Sequence, residues 1–473
     1  MRTVLVTILL ICSSLDCTAA TTGQRIAAIE KSITPALVID GDAAPPVTLA
    51  ERMEQLNVAG ISVAVFSAGR IEWTKAYGYA DKERRIRATP QTLFEAGSIS
   101  KSVTALATLY LAGKGTLDLD ANVNDRLKSW RLPDSEFTAT HNVTLRNILN
   151  HTAGTTVMGF GGYVRSGKIP TPVDVLEGKG NTEAVRVDKE PGQSMRYSGG
   201  GYTVMQVLLT DVMGRSFPEV MHETVLGPLG MRNSTFEQPL PRNLWARAAS
   251  GYNTSGVKVA EDWHVYPEMA AAGLWTTATD LAKFALAVQS MYRSDGGLLS
   301  RQMARAMLTP GLKNDGLGVF ITPDGKRFGH DGADDGFQAS LTAFIDEEAG
   351  VAVLTNSDNG GRLAHDLMLT IAREYGWSGF PQTRKTAVRL SRADWARLLG
   401  HYKIDAGGAG EFDLVAEAGR TIVKSAGMQR RELLAESPDK LFLRDDFTPI
   451  EVTTQNGTIA LTIAGGLHAV RVQ

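Results

Sequence analysis

Strand-like alternation appears at two places far apart in this chain. "GISVAVFSAGRIEWTKAYGY" (60–79) alternates at period two on both sides of Ala68-Gly69, which predicts a β-hairpin. After residue 316, "LGVFIT", "KRFGH", "FQASLTAFI" and "VAVLTN" follow one another across "PDG" and "DEEAG" turns, which predicts an antiparallel meander. Helical runs and Gly- and Pro-rich loops fill the space between. One helix is expected over 97–112, closed by Gly113 and Gly115, and another over "TATDLAKFALAVQSMY" (277–292) behind an N-cap. Strands at both ends with helices between imply one antiparallel sheet drawn from both ends of a domain and packed by helices, a mixed α/β (α+β) fold.

The pattern breaks at "WSGFPQTRKTAVRLSR" (377–392), which reads as a linker. From about residue 395 short alternating strands recur, with an Asn456-Gly457 hairpin signal between "IEVTTQ" and "TIALTI". That texture predicts a small all-β barrel or sandwich. The expected organisation is a leader at 1–20, a main domain at 24–380, a linker at 381–394 and a β-barrel domain at 395–473.

The leader rests on Arg2, an apolar run over residues 4–11, and small residues ending in Thr18-Ala19-Ala20. This is the layout of a secretory signal peptide cleaved after Ala20, and it implies a periplasmic or secreted protein. The run is too short to span a bilayer, and no later apolar run is long enough to span one. Asp16 stands where a small residue is expected before a lipid-anchored cysteine, which argues against anchoring at Cys17. Cys12 and Cys17 are the only cysteines, so the mature chain would carry no disulfide, thiol nucleophile or cysteine-bound metal. With 49 basic and 51 acidic residues, the chain shows no electrostatic footprint for nucleic acid or a membrane surface. Oligomeric state is not legible.

The chemistry is signalled by "EAGSISKSVTALATLYLAG" (95–113), an apolar helix with a lysine in its first turn. Ser98 and Lys101 lie three residues apart, on one helical face. A lysine in a dry site loses ammonium stability and can act as a base, and a serine beside it can become a nucleophile. The helix N-terminus favours a developing oxyanion. The same spacing recurs at Ser255 and Lys258 in "YNTSGVK", and at Ser437 and Lys440 in "ESPDK". Both contexts are turn-like and read as solvated loops.

With this S-x-x-K the chain resembles the serine β-lactamase and penicillin-binding-protein superfamily. The likeness is to the class C β-lactamase-related group that includes D,D-carboxypeptidases, D-aminopeptidases and family VIII esterases. It covers roughly residues 45–380. "RYSGGGYTVMQVLL" stands where the family carries Tyr-Ser-Asn, so the resemblance implies that Tyr197 lies beside the nucleophile as proton shuttle. Gly199 takes the place of an amide that would hold the substrate carbonyl. The family's Lys-Thr-Gly is replaced by His330-Asp331-Gly332, a His-x-Gly found in related hydrolases. The resemblance implies an oxyanion hole of the Ser98 and Ala333 backbone N–H groups, with Gly332 lining the substrate site. "LRNILNHTAGTT" (145–156) and "MAAAGLWTTATDLAKF" (269–284) also resemble the family, and His151 reads as a hydrogen-bonded scaffold residue. Ser357-Asp358-Asn359 spells a class A motif but falls after the His-x-Gly strand, so it reads as a turn. The C-terminal unit resembles the lipocalin-like barrels often fused to such hydrolases.

These readings imply a β-lactamase/transpeptidase-like serine hydrolase that forms an acyl-enzyme on Ser98. Lys101 and Tyr197 would move its proton, and which of them is the base stays open. The substrate would be a small-molecule or peptide-like ester or amide, with no metal or cofactor implied. A non-turnover penicillin- or peptidoglycan-binding module and a true class C-type β-lactamase are the alternatives.

Overall fold

A computed structural model describes residues 20–42, 45–404, 411–425, 430–444, 447–455, 458–463 and 467–472. The expected leader, apart from Ala20, and the Asn456-Gly457 signal lie outside the described residues. The main sheet has seven strands: β1 (Gly60–Ser67), β2 (Arg70–Asp81), β3 (Ile86–Arg87), β4 (Phe320–Ile321), β5 (Arg327–Asp334), β6 (Phe337–Phe344) and β7 (Gly350–Thr355). Their order is β3-β2-β1-β7-β6-β5-β4, with every neighbour antiparallel. The predicted hairpin and meander therefore meet at β1 and β7, where Val65 faces Val351 and Val63 faces Val353. Ala68 (φ 50°) and Gly69 (φ 73°) turn the hairpin in the left-handed region that matches strand twist.

Among the described residues, five helices have ten residues or more: α1 (Thr22–Lys31), α2 (Ile99–Gly113), α3 (Gly199–Met213), α4 (Ala278–Arg293) and α5 (Gly360–Tyr375). Successive strand residues point to opposite faces. Ile61, Val63 and Val65 pack with Ile29 of α1 and Leu363, Leu367 and Ile371 of α5. Ala64 and Phe66 join the larger core with α2, α3 and α4. The sheet is thus covered on both sides, so β1 is buried on both faces and does not keep the period-two alternation expected of it. Among the described residues no helix is long and apolar enough to cross a membrane.

Every residue of α2 from 99 to 109 is buried, so its polar side chains need internal partners. Ser100 donates to the Gly97 carbonyl at 2.6 Å and Ser102 to that of Gly318 at 2.7 Å. Lys101 is the one charged residue in this run, and its partners define the site.

The C-terminal strands are β8 (Gly400–Ile404), β9 (Glu411–Glu417), β10 (Arg420–Ser425), β11 (Arg431–Ser437), β12 (Lys440–Leu443), β13 (Pro449–Gln455), β14 (Thr458–Ile463) and β15 (Leu467–Arg471). They form a closed up-and-down barrel, with β15 pairing back onto β8. Tyr402, Leu414, Leu433, Leu441, Leu461 and Ala469 fill its interior, none more than 1% exposed. The helix Arg392–Leu398 packs on this core through Leu398, whose carbonyl accepts from Tyr402 Oη at 2.7 Å. The preceding stretch is anchored: the strand Thr383–Lys385 runs parallel to Leu37–Ile39, and Ile39 packs on Phe442 and Phe447.

Candidate active site

Ser98 occupies the N-cap of α2 with φ −65° and ψ −8°, yet its hydroxyl caps nothing. It accepts instead from Lys101 Nζ at 2.8 Å. Lys101 is 2% exposed and gives a second bond, also 2.8 Å, to the Ala271 carbonyl in the short helix Met269–Ala272. Its ammonium stands 4.9 Å from the ring centre of Tyr197 and 5.9 Å from that of Tyr202. The lysine is tolerated in the core because a serine, a carbonyl and two aromatic faces receive it.

Tyr197 is half-buried just before α3, with its ring 4.3 Å from that of His151. His151 adopts φ +56° and accepts the Ser198 N–H on Nδ1 at 3.2 Å. Ser198 caps α3 by accepting from Gly201 N at 3.1 Å and donates to the Thr156 carbonyl at 2.7 Å. His151 is therefore hydrogen-bonded to the cap that carries Tyr197. Burial, then the charge of Lys101, holds its imidazole well below the usual range and so neutral.

Gly199 opens α3, where a Cβ would stand 2.8 Å from the Phe160 ring and 3.1 Å from the Met158 carbonyl. The volume an amide side chain would need is taken by the 158–160 loop.

His330 lies on β5, 7% exposed, its ring 6.0 Å from Tyr197 and 5.1 Å from Phe320. Nδ1 meets the Asp331 carbonyl, which can only accept, so Nδ1 carries the proton and Nε2 is an acceptor. Nε2 is buried without a partner. Burial and then the Lys101 charge push the imidazole down to about 4.

Two glycines bring β5 against the start of α2. A Cβ at Gly332 would lie 1.9 Å from the Ala96 carbonyl and 3.1 Å from Ser98 N, and one at Gly97 would lie 2.4 Å from Ala333 N. Gly97 also adopts φ +50°, which a side chain would strain. The backbones at Ser98 and Ala333 are thereby held side by side. Ile99, Ser100 and Lys101 donate their N–H groups to the carbonyls of Ala96, Gly97 and Ser98, and among the described residues no turn bond takes the Ser98 N–H.

Ser98, Lys101, Tyr197, His330, Gly332 and Ala333 thus surround one point, with Gly199 behind the tyrosine. Sequence reasoning did not single out Phe320, Phe160, or the buried acids Glu95, Glu268 and Asp334 nearby. The other two S-x-x-K pairs lie elsewhere. Ser437 and Lys440 flank the β11–β12 turn. Lys258 departs from the expected solvated loop: it is 21% exposed and bridges Asp81 at 2.9 Å and Asp262 at 3.1 Å. Asp358 accepts from Gly336 N at 2.8 Å, and Asn359 donates to the Leu56 and Thr254 carbonyls, both at 2.8 Å, so the Ser-Asp-Asn turn ties loops together.

The family model described as Beta-lactamase matches residues 48–373. PbpX of Bacillus subtilis (strain 168), a protein named for penicillin binding, is 26% identical over 317 residues, 66% of this chain and 74% of PbpX. The octameric penicillin-binding protein homologue from Pyrococcus abyssi superposes with a TM-score of 0.61 at 22% identity, covering 89% of this chain and 98% of that one. The structure of SurE with D-Leu gives a TM-score of 0.59 at 24% identity, covering 89% and 97%. Both superpositions extend well beyond the residues that the family model matches.

Proposed function

This chain belongs to the β-lactamase family of serine hydrolases, and from that premise we propose that Ser98 forms an acyl-enzyme with neutral ester or amide substrates and is freed by water. The observation that carries this reading is the 2.8 Å contact from a buried Lys101 Nζ to an uncapped Ser98 Oγ at a helix start. In the first step Ser98 Oγ attacks the carbonyl carbon. Its proton passes through Lys101 and Tyr197 to the leaving alcohol or amine as the carbonyl–leaving-group bond breaks. The Ser98 and Ala333 N–H groups receive the oxyanion. Water then adds to the acyl carbon and returns a proton to Ser98 Oγ by the same groups.

Two features support neutral substrates over β-lactams and free carboxylates. An imidazole at 330 that is neutral above about pH 4 offers no cation to a carboxylate. The Phe160 ring crowds the place an amide side chain at 199 would need in order to hold a substrate carbonyl. A structural neighbour was solved with D-Leu, so D-aminoacyl esters and amides belong in the substrate panel.

The test is intact-mass and peptide mapping after a fluorophosphonate, with turnover of a neutral nitrophenyl ester. One adduct on the peptide containing Ser98, lost in Ser98→Ala together with turnover, is expected. An adduct on another serine sinks the assignment. A Ser98 adduct without turnover makes the protein a binding module.

A further inference from the structure

Three carboxyl groups lie under the site and have no part in the chemistry above. Glu95 is 1% exposed, Asp334 6% and Glu268 0%, and their six side-chain oxygens are buried without a well-formed hydrogen bond, although the Gln238 amide faces Glu95 and the Gly97 N–H faces Asp334. Glu95 precedes Ser98 by three residues, and Asp334 directly follows Ala333. The Gly97–Ala333 and Gly332–Ala96 approaches put these two segments in backbone contact. Glu95 and Asp334 therefore sit on the two touching segments that carry the amides that would meet an oxyanion.

The groups that face this pair come from every neighbouring element. They are Lys101 on α2, the Gly97 N–H, Glu268 before Met269–Ala272, Asp335 in the β5–β6 turn, Tyr266, and the Gln238 amide. Lys101 is the only cation among them, and Ser98 and Ala271 already share it. Burial, then mutual repulsion, raises Glu95 well above the carboxylate range. Burial raises Asp334 likewise, although the Lys101 ammonium and the Gly97 N–H pull it down. Burial raises Glu268 to about 7. One ammonium can balance one carboxylate, and a second buried negative charge would have no partner.

We propose that Glu95 and Asp334 are positioning residues that hold at least one proton between them throughout turnover, and that its loss shuts down the Ser98 site. The inference rests on Ser98 being the nucleophile. A second carboxylate beside the Ser98 and Ala333 amides would oppose the oxyanion by like charge.

The test is kcat/KM for a neutral nitrophenyl ester from pH 6 to 10 in the wild type, Glu95→Gln and Asp334→Asn, each normalised to its own maximum. The wild type is expected to fall about tenfold per pH unit beyond an alkaline midpoint, as for loss of one essential proton. The variants have no second carboxylic proton in the pair to lose, so their limb should vanish or move up by a unit or more. Superimposable limbs overturn the proposal. Melting without substrate reads the same pair independently. A carboxyl whose value is raised in the fold contributes stability that is fully present below its unfolded value and is lost as pH rises through the folded one. Tm should therefore fall more steeply from pH 7 to 9 in the wild type than in Glu95→Gln, and equal slopes overturn the proposal. If Asp334→Asn does not fold, Glu95→Gln carries both arms. Labelling at a serine other than Ser98 removes the functional reading and this inference together. A Ser98 label with unchanged limbs removes this inference alone.

Discussion

Lys101 reaches Ser98 within one turn of α2, and an arginine there would keep the charge while losing the titratable amine. Lys101→Arg should lose kcat about as badly as Lys101→Ala, at least ~10²-fold, if the amine moves the proton. Most of the activity surviving in the arginine variant would mean that the lysine supplies only charge. His330 gives a second prediction. An imidazole of ordinary pKa would charge near pH 6 and begin to attract carboxylates. In the fold it is held at about 4, with Nδ1 spent on the Asp331 carbonyl. The kcat/KM ratio for a matched ester pair, with and without a terminal carboxylate, should therefore stay flat between pH 5.5 and 8. His330→Lys should move that ratio toward the carboxylate by tenfold or more, the size of a charged hydrogen bond of about 1.5 kcal/mol. A ratio that climbs in the wild type as pH falls through 6 would show the imidazole charging in that window.

Between elements, the approach of β5 to the first turn of α2 depends on having no side chain at Gly97 or Gly332. Gly332→Ala would drive a Cβ to 1.9 Å from a backbone oxygen that cannot rotate away. The strand must retreat and take the Ala333 N–H with it. A kcat loss of ~10²-fold or more is expected, the cost of one misplaced oxyanion donor, with the far-UV circular dichroism unchanged. Gly113→Ala, where an added Cβ meets nothing within 4 Å, is the control and should keep its activity. The reach of sequence reasoning is visible in these same elements. The α2 helix was legible because its apolar run and S-x-x-K spacing are local. β5 was legible only as far as His330, because Gly329, Asp331, Gly332 and Asp334 hide its alternation. Phe320 looks like any strand-core aromatic, and nothing local says that its ring stands 5.1 Å from His330. Glu95 left one trace, a charge set between Phe94 and Ala96, but its burial comes from segments far away in sequence.

For the molecule as a whole, the two large cores of the main domain contain no barrel residue among the described residues. A chain ending at Phe380 should stay soluble and keep Ser98 labelling. It should also melt lower, because Leu37–Ile39 loses its partner Thr383–Lys385 and Ile39 loses Phe442 and Phe447. Insolubility with no labelling would show that the barrel completes the catalytic unit. Strand spacing announced a second β unit. It could not say that the unit closes, because closure joins Lys403 to Val470 across the whole of it.

The seam between β1 and β7 also sets a timetable. Val65 leaves the ribosome long before its partner Val351 exists, and at ordinary elongation rates the wait is about 15–60 s. Throughout that interval the nascent hairpin bears apolar side chains on both faces, Ile61, Val63 and Val65 on one and Ala64 and Phe66 on the other. No partial product short of residue 350 can complete the sheet, so folding is expected to be concerted and late, as long-range pairing dictates. Ribosome-stalled chains ending before Gly350 should be cut freely by protease within 60–79, whereas chains extended past Tyr375, with the tunnel cleared, should resist.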